Sequence, residues 1–119
     1  MAISSDLLLA ATELGAVLGA SSIVQEYLQA REALSKDTEL QQLEEKIELV
    51  YQDLVTRQQN GEKLLPVEVI EFQNLRETYI SHPLVIQYGR CESAVKALFA
   101  EVGSTISSIL SVDYTQLAA

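Results

Sequence analysis

Sulfur chemistry is almost absent from this chain. A single cysteine, Cys91, excludes an internal disulfide and any metal cluster built only from the protein's own thiolates. One histidine, His82, leaves no local partner for a His-based metal or acid–base site. Basic residues are scarce too: eight Lys and Arg stand against 17 Asp and Glu, a formal charge of −9 over 119 residues. Nucleic-acid affinity comes largely from cations displacing counterions, so direct binding to nucleic acid, or adhesion to an anionic membrane, is not expected. No run of about 18 uncharged apolar residues exists, so no membrane insertion is expected. The amino terminus lacks a basic region ahead of Leu7-Leu8-Leu9, and Asp6 and Glu13 interrupt the apolar run. That is not the pattern of a signal peptide, and a cytoplasmic location is the default expectation.

Strand signals are missing as well, because no sustained period-two alternation occurs. What remains is helical periodicity, and the expected fold class is all-α. Prolines stand only at 66 and 83, both readable as first-turn helix residues whose missing N–H costs nothing. They divide the chain into about four helical stretches. The first follows Ser4-Ser5, either of which can cap it, with Asp6 favouring the helix dipole. Leu7, Ala11, Leu14 and Leu18 form one face, and Gly15 and Gly19 weaken the helix or admit a close neighbour. The pattern resumes at Val24, Tyr27, Leu28 and Leu34, giving one bent helix or two consecutive ones.

Asp37 opens the second helix, with Leu40, Leu43, Ile47, Val50 and Leu54 at alternating spacings of three and four. Asn60-Gly61 closes it as a C-cap with glycine in the left-handed conformation. The third helix begins near Pro66, presents Val69, Phe72, Leu75 and Tyr79, and ends at Ser81-His82-Pro83. The last and longest carries Leu84, Tyr88, Cys91, Val95, Leu98, Val102, Ile106 and Ile109. At the standard rise it spans roughly 40 Å, long for one compact domain of this size. Residues 113–119 show no strong pattern and are expected to fray.

Short loops make consecutive helices antiparallel, so the expected architecture is a single-domain antiparallel bundle over residues 1–119. A chain this short buries about two-thirds of its unfolded surface, and the surplus apolar stripe argues for completion by oligomerisation. The candidate oligomer or partner interface is Leu84, Tyr88, Val95, Leu98, Val102 and Ile106 of the last helix. Leu43, Ile47, Val50 and Leu54 of the seam, the expected neighbour of that helix, complete the candidate interface.

Catalytic parts are hard to assemble from this inventory. His82 reads as a turn or capping residue, and Cys91 as a small hydrophobe within an apolar stripe. Glu-x-x-His, the di-iron pattern of helical bundles, does not occur, nor do GxSxG, HExxH or phosphate-cradling loops. Ser104, Thr105, Ser107 and Ser108 allow close helix contact rather than form a site. The expectation is therefore a non-catalytic protein without cofactor or metal. The alternative is a helical-bundle metal protein or enzyme using carboxylates distant in sequence.

Several ordered features resemble the YlbF/YmcA family of bacterial helical proteins. They are Glu13-Leu14-Gly15, Ser21, Ala30-x-x-Ala33-Leu34 and Asp37-x-Glu39 at the start, then Gln58-x-x-Gly61 and Pro66-x-Glu68. His82-Pro83-x-Val85-x-x-Tyr88-x-x-x-Glu92, followed by Leu98, Glu101-Val102 and Ile106, is similar to the stretch that starts the family's last helix. His82 stands where Asn is more usual. Some members carry a cysteine-rich carboxyl-terminal tail, whereas this chain ends Gln116-Leu117-Ala118-Ala119, so an iron–sulfur role is not expected. The resemblance implies an oligomeric cytoplasmic regulator that works with paralogous proteins and ribonuclease Y in RNA maturation. It also implies effects on competence, biofilm formation or sporulation, and it carries no catalytic residues.

Overall fold

Capping side chains, one glycine and two prolines set most of the helix boundaries of this chain. The computed structural model describes residues 3–119, and among them every regular element is an α-helix: α1 Ser5–Ala20, α2 Ser22–Lys36, α3 Thr38–Gln59, α4 Pro66–Ile80, α5 Pro83–Leu110 and α6 Tyr114–Ala118. The all-α expectation holds, with two helices more than the four anticipated. One comes from a break in the first stretch and the other from the tail.

The break is at Ser21, whose backbone is extended (φ −63°, ψ 137°) and cannot continue the helix. Its N–H still closes on Leu18 at 3.1 Å, while its hydroxyl accepts the N–H of Ile23 at 3.3 Å and so starts α2. The two axes differ by 68°. A break orphans carbonyls, and the Gln25 side-chain amide donates to one of them, Gly19 O. Gln41 repeats the device at the next junction by donating to Ser35 O. No single described helix is long and apolar enough to cross a membrane.

The remaining boundaries are local chemistry. Ser4 Oγ accepts the N–H of Leu7, and Asp37 Oδ1 accepts that of Leu40 at 2.9 Å. At the end of α3, Gly61 is left-handed (φ 84°), its N–H reaches Gln58 O, and the N–H of Glu62 reaches Arg57 O. This pair of bonds is the Schellman arrangement expected of Asn60-Gly61. Pro66 and Pro83 each open a helix. His82 caps the start of α5, because its Nδ1 accepts the N–H of Leu84 at 3.1 Å.

The chain divides into two compact units, with boundaries inside α2 and α5. One unit, Arg31–Tyr88, is organised by α3 and α4. Residue 57 pairs with 68, 51 with 72 and 44 with 79, a reversed order that makes these two helices antiparallel. Leu40 and Leu54 are its buried apolar side chains, and the closely packed neighbour of the Leu40–Leu54 seam within this unit is α4.

The other unit comprises Met1–Ala30 and Gly89–Ala119. Cys91, Val95 and Gly103 lie on one buried stripe of α5. The patternless tail forms α6, capped by Asp113, whose Oδ1 accepts the Gln116 N–H. Thr115 then places its γ-methyl where a side chain on Gly103 would stand. Ser107 Oγ accepts the Tyr114 N–H at 2.8 Å and donates to Gly103 O at 2.8 Å. Gly103→Ala is therefore expected to push α6 from its seat while α5, given a better helix former, keeps or raises its own stability. Amide exchange at Tyr114 and Gln116 should accelerate. Thr115→Ser in the same chain removes the obstructing methyl and should restore protection; unchanged exchange in Gly103→Ala would mean α6 is not held by this contact.

Candidate protein-binding surfaces

Packing α4 along α3 buries Leu40 and Leu54 at the two ends of the seam and leaves Leu43, Ile47 and Val50 between them half-buried. Ile47 falls on one edge and Val50 and Leu54 on the other, so the hairpin has two grooved sides. On the first side a groove of about 860 Å³ is lined by half-buried Ile47 and Tyr79 at its base, by Glu44, Glu48, Arg76 and Ile80 on its walls, and by Glu45 and Leu49 toward its outer edge. Tyr79 donates its hydroxyl to Glu44 Oε1 at 2.7 Å. Burial, then that carboxylate, pushes the Tyr79 phenol up to about 12, so it stays a neutral donor at physiological pH. Farther along, Arg76 lies over the Phe72 ring at 6.0 Å, and Phe72 meets Tyr51 with ring centroids 5.9 Å apart.

The second side is polar and clasped. Val50, Leu54 and Leu75 contribute its apolar surface, within about 460 Å³. Arg57 binds Glu68 through two parallel bonds of 2.9 and 3.0 Å and reaches Glu62 at 2.8 Å. Asp53 completes the arrangement at 3.6 Å. Glu68 also accepts the N–H of Leu65 at 3.0 Å, which closes the amino end of α4. Only half of a capping box is present, since Leu65 has no side-chain oxygen to return the bond. Arg57 thus ties the last turn of α3 to the first turn of α4 across the loop.

Arg57, and after it the Leu65 N–H, hold the Glu68 carboxyl below its ordinary value of 4.5. A carboxyl depressed by folding stabilises fully above its ordinary value and loses that contribution as pH falls through the lowered folded one. Thermal midpoints should therefore fall more steeply below about pH 4.5 in the wild-type chain than in Glu68→Gln. Arg57→Gln, which removes the larger cause, should flatten the slope almost as far. Equal slopes in all three proteins would show that the clasp is not the acid-sensitive element.

In the Met1–Ala30/Gly89–Ala119 unit, a cleft of about 200 Å³ is lined by Leu14 and Leu18 of α1, Phe99, Val102 and Ile106 of α5, and α6. Of the interface residues expected from sequence, Val102 and Ile106 line this cleft and Val95 lies in the buried stripe beside it. Leu98 is half-buried on the same helix, Leu84 and Tyr88 are half-buried near its start, and Leu43 is half-buried on α3. Nothing in the sequence reading pointed to Arg57 or to the seat of α6. The only signals were Glu68 two residues after Pro66, and Gly103 four residues before Ser107.

Cys91 is buried in α5. Among the described residues no three His, Cys, Asp or Glu side chains are grouped so as to hold a metal ion. A family model described as control of competence regulator ComK, YlbF/YmcA, matches residues 7–111. No curated protein and no solved structure matches the chain.

Proposed function

The chain belongs to the YlbF/YmcA family of competence regulators, and from that premise we propose that it is a non-catalytic adaptor which self-associates and binds partner proteins. The partners in this reading are paralogous family proteins and ribonuclease Y, so that any effect on RNA passes through a nuclease rather than through this chain. The observation that supports it best is the apolar surface of α5. Cys91 and Val95 are buried, but Leu98, Val102 and Ile106 are only half-buried, and Phe99 and Ile109 are exposed at 49 % and 79 %. Apolar side chains repeated along one long helix mark a surface for another protein. The charge of −9 turns phosphate away and so favours a protein partner over RNA.

Two measurements on the full chain test this. Light scattering over a range of concentrations should give a mass at or above that of a dimer. Immobilised chain should retain purified ribonuclease Y in a manner insensitive to added RNA. A monomer at all concentrations that captures neither the nuclease nor a paralogue would end the proposal.

A further inference from the structure

The geometry points to the groove lined by Ile47, Leu49, Tyr79 and Ile80 as the seat of a basic amphipathic helix from a partner protein. This deepens the adaptor reading by naming the partner's chemistry, and it rests on that reading. Three observations carry it. The groove's apolar lining is open: Ile47 and Tyr79 at the base are half-buried, while Leu49 and Ile80 nearer the rim are 70 % and 52 % exposed. Two antiparallel helices present ridges on either side of a furrow, which is the shape a third helix fills. Its α3 wall, from Glu44 to Leu49, accommodates about one and a half turns.

The rim supplies the sign of the charge. Glu44, Glu45 and Glu48 stand on α3 against one Arg76 on α4. Glu44 accepts the Tyr79 hydroxyl and Glu48 accepts the Gln52 amide at 2.9 Å. Each of those bonds uses one of about four acceptor sites on a carboxylate, so the rim can still receive Lys or Arg. The other side of the hairpin is different, because there Glu68 and Glu62 are spent on Arg57. A second copy of this chain would bring another −9 to the three carboxylates, and phosphate of RNA or lipid would be repelled by them. A helix with leucines on one stripe and lysines or arginines flanking it satisfies both lining and rim.

The probe is a synthetic labelled peptide of about 18 residues with Leu and Lys at helical spacing, titrated with the full chain and read by fluorescence anisotropy. A Leu/Glu peptide of the same pattern is the comparison. Leu49→Asp, at a site open enough to keep the fold by circular dichroism, should weaken Leu/Lys binding about tenfold or more. Glu45→Gln/Glu48→Gln should weaken it several-fold at low salt and not at about 1 M salt. Glu13→Gln/Glu101→Gln, in the other unit, should change nothing.

Equal affinity for the Leu/Glu peptide, unaltered binding by Leu49→Asp, or an equal loss in the Glu13/Glu101 variant would each overturn the assignment. So would a fall in the mass of the Leu49→Asp protein, which would make a second copy the occupant. Failure of the peptide with oligomer and nuclease capture intact sinks this inference alone. Peptide binding by a monomer that captures neither sinks the adaptor reading alone.

Discussion

Leu40→Ala is expected to lower the unfolding free energy by about 2–5 kcal/mol and the thermal midpoint by roughly 10 °C or more. Leu40 is the most completely buried large side chain described, at 1 % exposure, and it occupies the first turn of α3. Its unit has only one other buried apolar residue, Leu54. Removing three carbons from so small a core leaves a cavity that helices anchored by caps and a clasp cannot readily close. The backbone on one side is fixed, because the Leu40 N–H is bonded to Asp37 Oδ1. A small domain holds about 5–15 kcal/mol in total, so this one change removes a large fraction of it. Leu49→Ala on the same helix is the control. At 70 % exposure it should cost no more than about 0.5 kcal/mol by urea denaturation. Should the two variants unfold within about 1 kcal/mol of each other, the core would lie elsewhere than at Leu40.

That comparison also marks how far the sequence could be read. Helix boundaries were legible wherever one or two residues decide them: Asp37 by its carboxylate, Gly61 by its freedom at positive φ, and Pro66 and Pro83 by their fixed φ. His82 was legible as a turn residue, and its bond to the Leu84 N–H gives that reading its chemistry. The break at Ser21 was half legible. Gly15 and Gly19 flag weakness, but serine can either cap a new helix or continue the old one, and only the surrounding chain chooses. The tail helix was not legible, because a single turn carries no periodicity and its fixing contacts with Gly103 and Ser107 are tertiary.

The seam shows a subtler gap. Spacing of three and four identifies the residues of a stripe but not the line along which a neighbour lies on it. Since α4 lies along the middle, Ile47 and Val50 line opposite sides of the hairpin although they are three residues apart. The Arg57 clasp escaped for a related reason. Its partner Glu68 is eleven residues away, at a distance set by the loop and the Gly61 turn rather than by helical period.

The same limit governs the largest functional prediction, because α5 carries buried and half-buried apolar side chains along one stripe. Val95→Asp and Leu98→Asp lie within a single turn but should fail in different ways. Val95 is buried at 8 % exposure, and an aspartate there would have to ionise among apolar neighbours or fold protonated. It should cost more than about 3 kcal/mol and appear as lost helicity or a collapsed melting midpoint, whatever the oligomeric state. Leu98 is half-buried, so its aspartate can reach water in the isolated chain and the helices should persist. In an assembly that packs α5 against another protein, however, that carboxylate would be trapped in an apolar interface. Leu98→Asp should therefore keep the wild-type circular dichroism spectrum while light scattering falls to the monomer mass. If it keeps both the spectrum and the wild-type mass, α5 is not the assembly face, and the exposed side chains of α1 become the next surface to test. If it unfolds as Val95→Asp does, the half-buried position is core, and interface must be sought at Phe99 and Ile109 on the more open flank of the same helix.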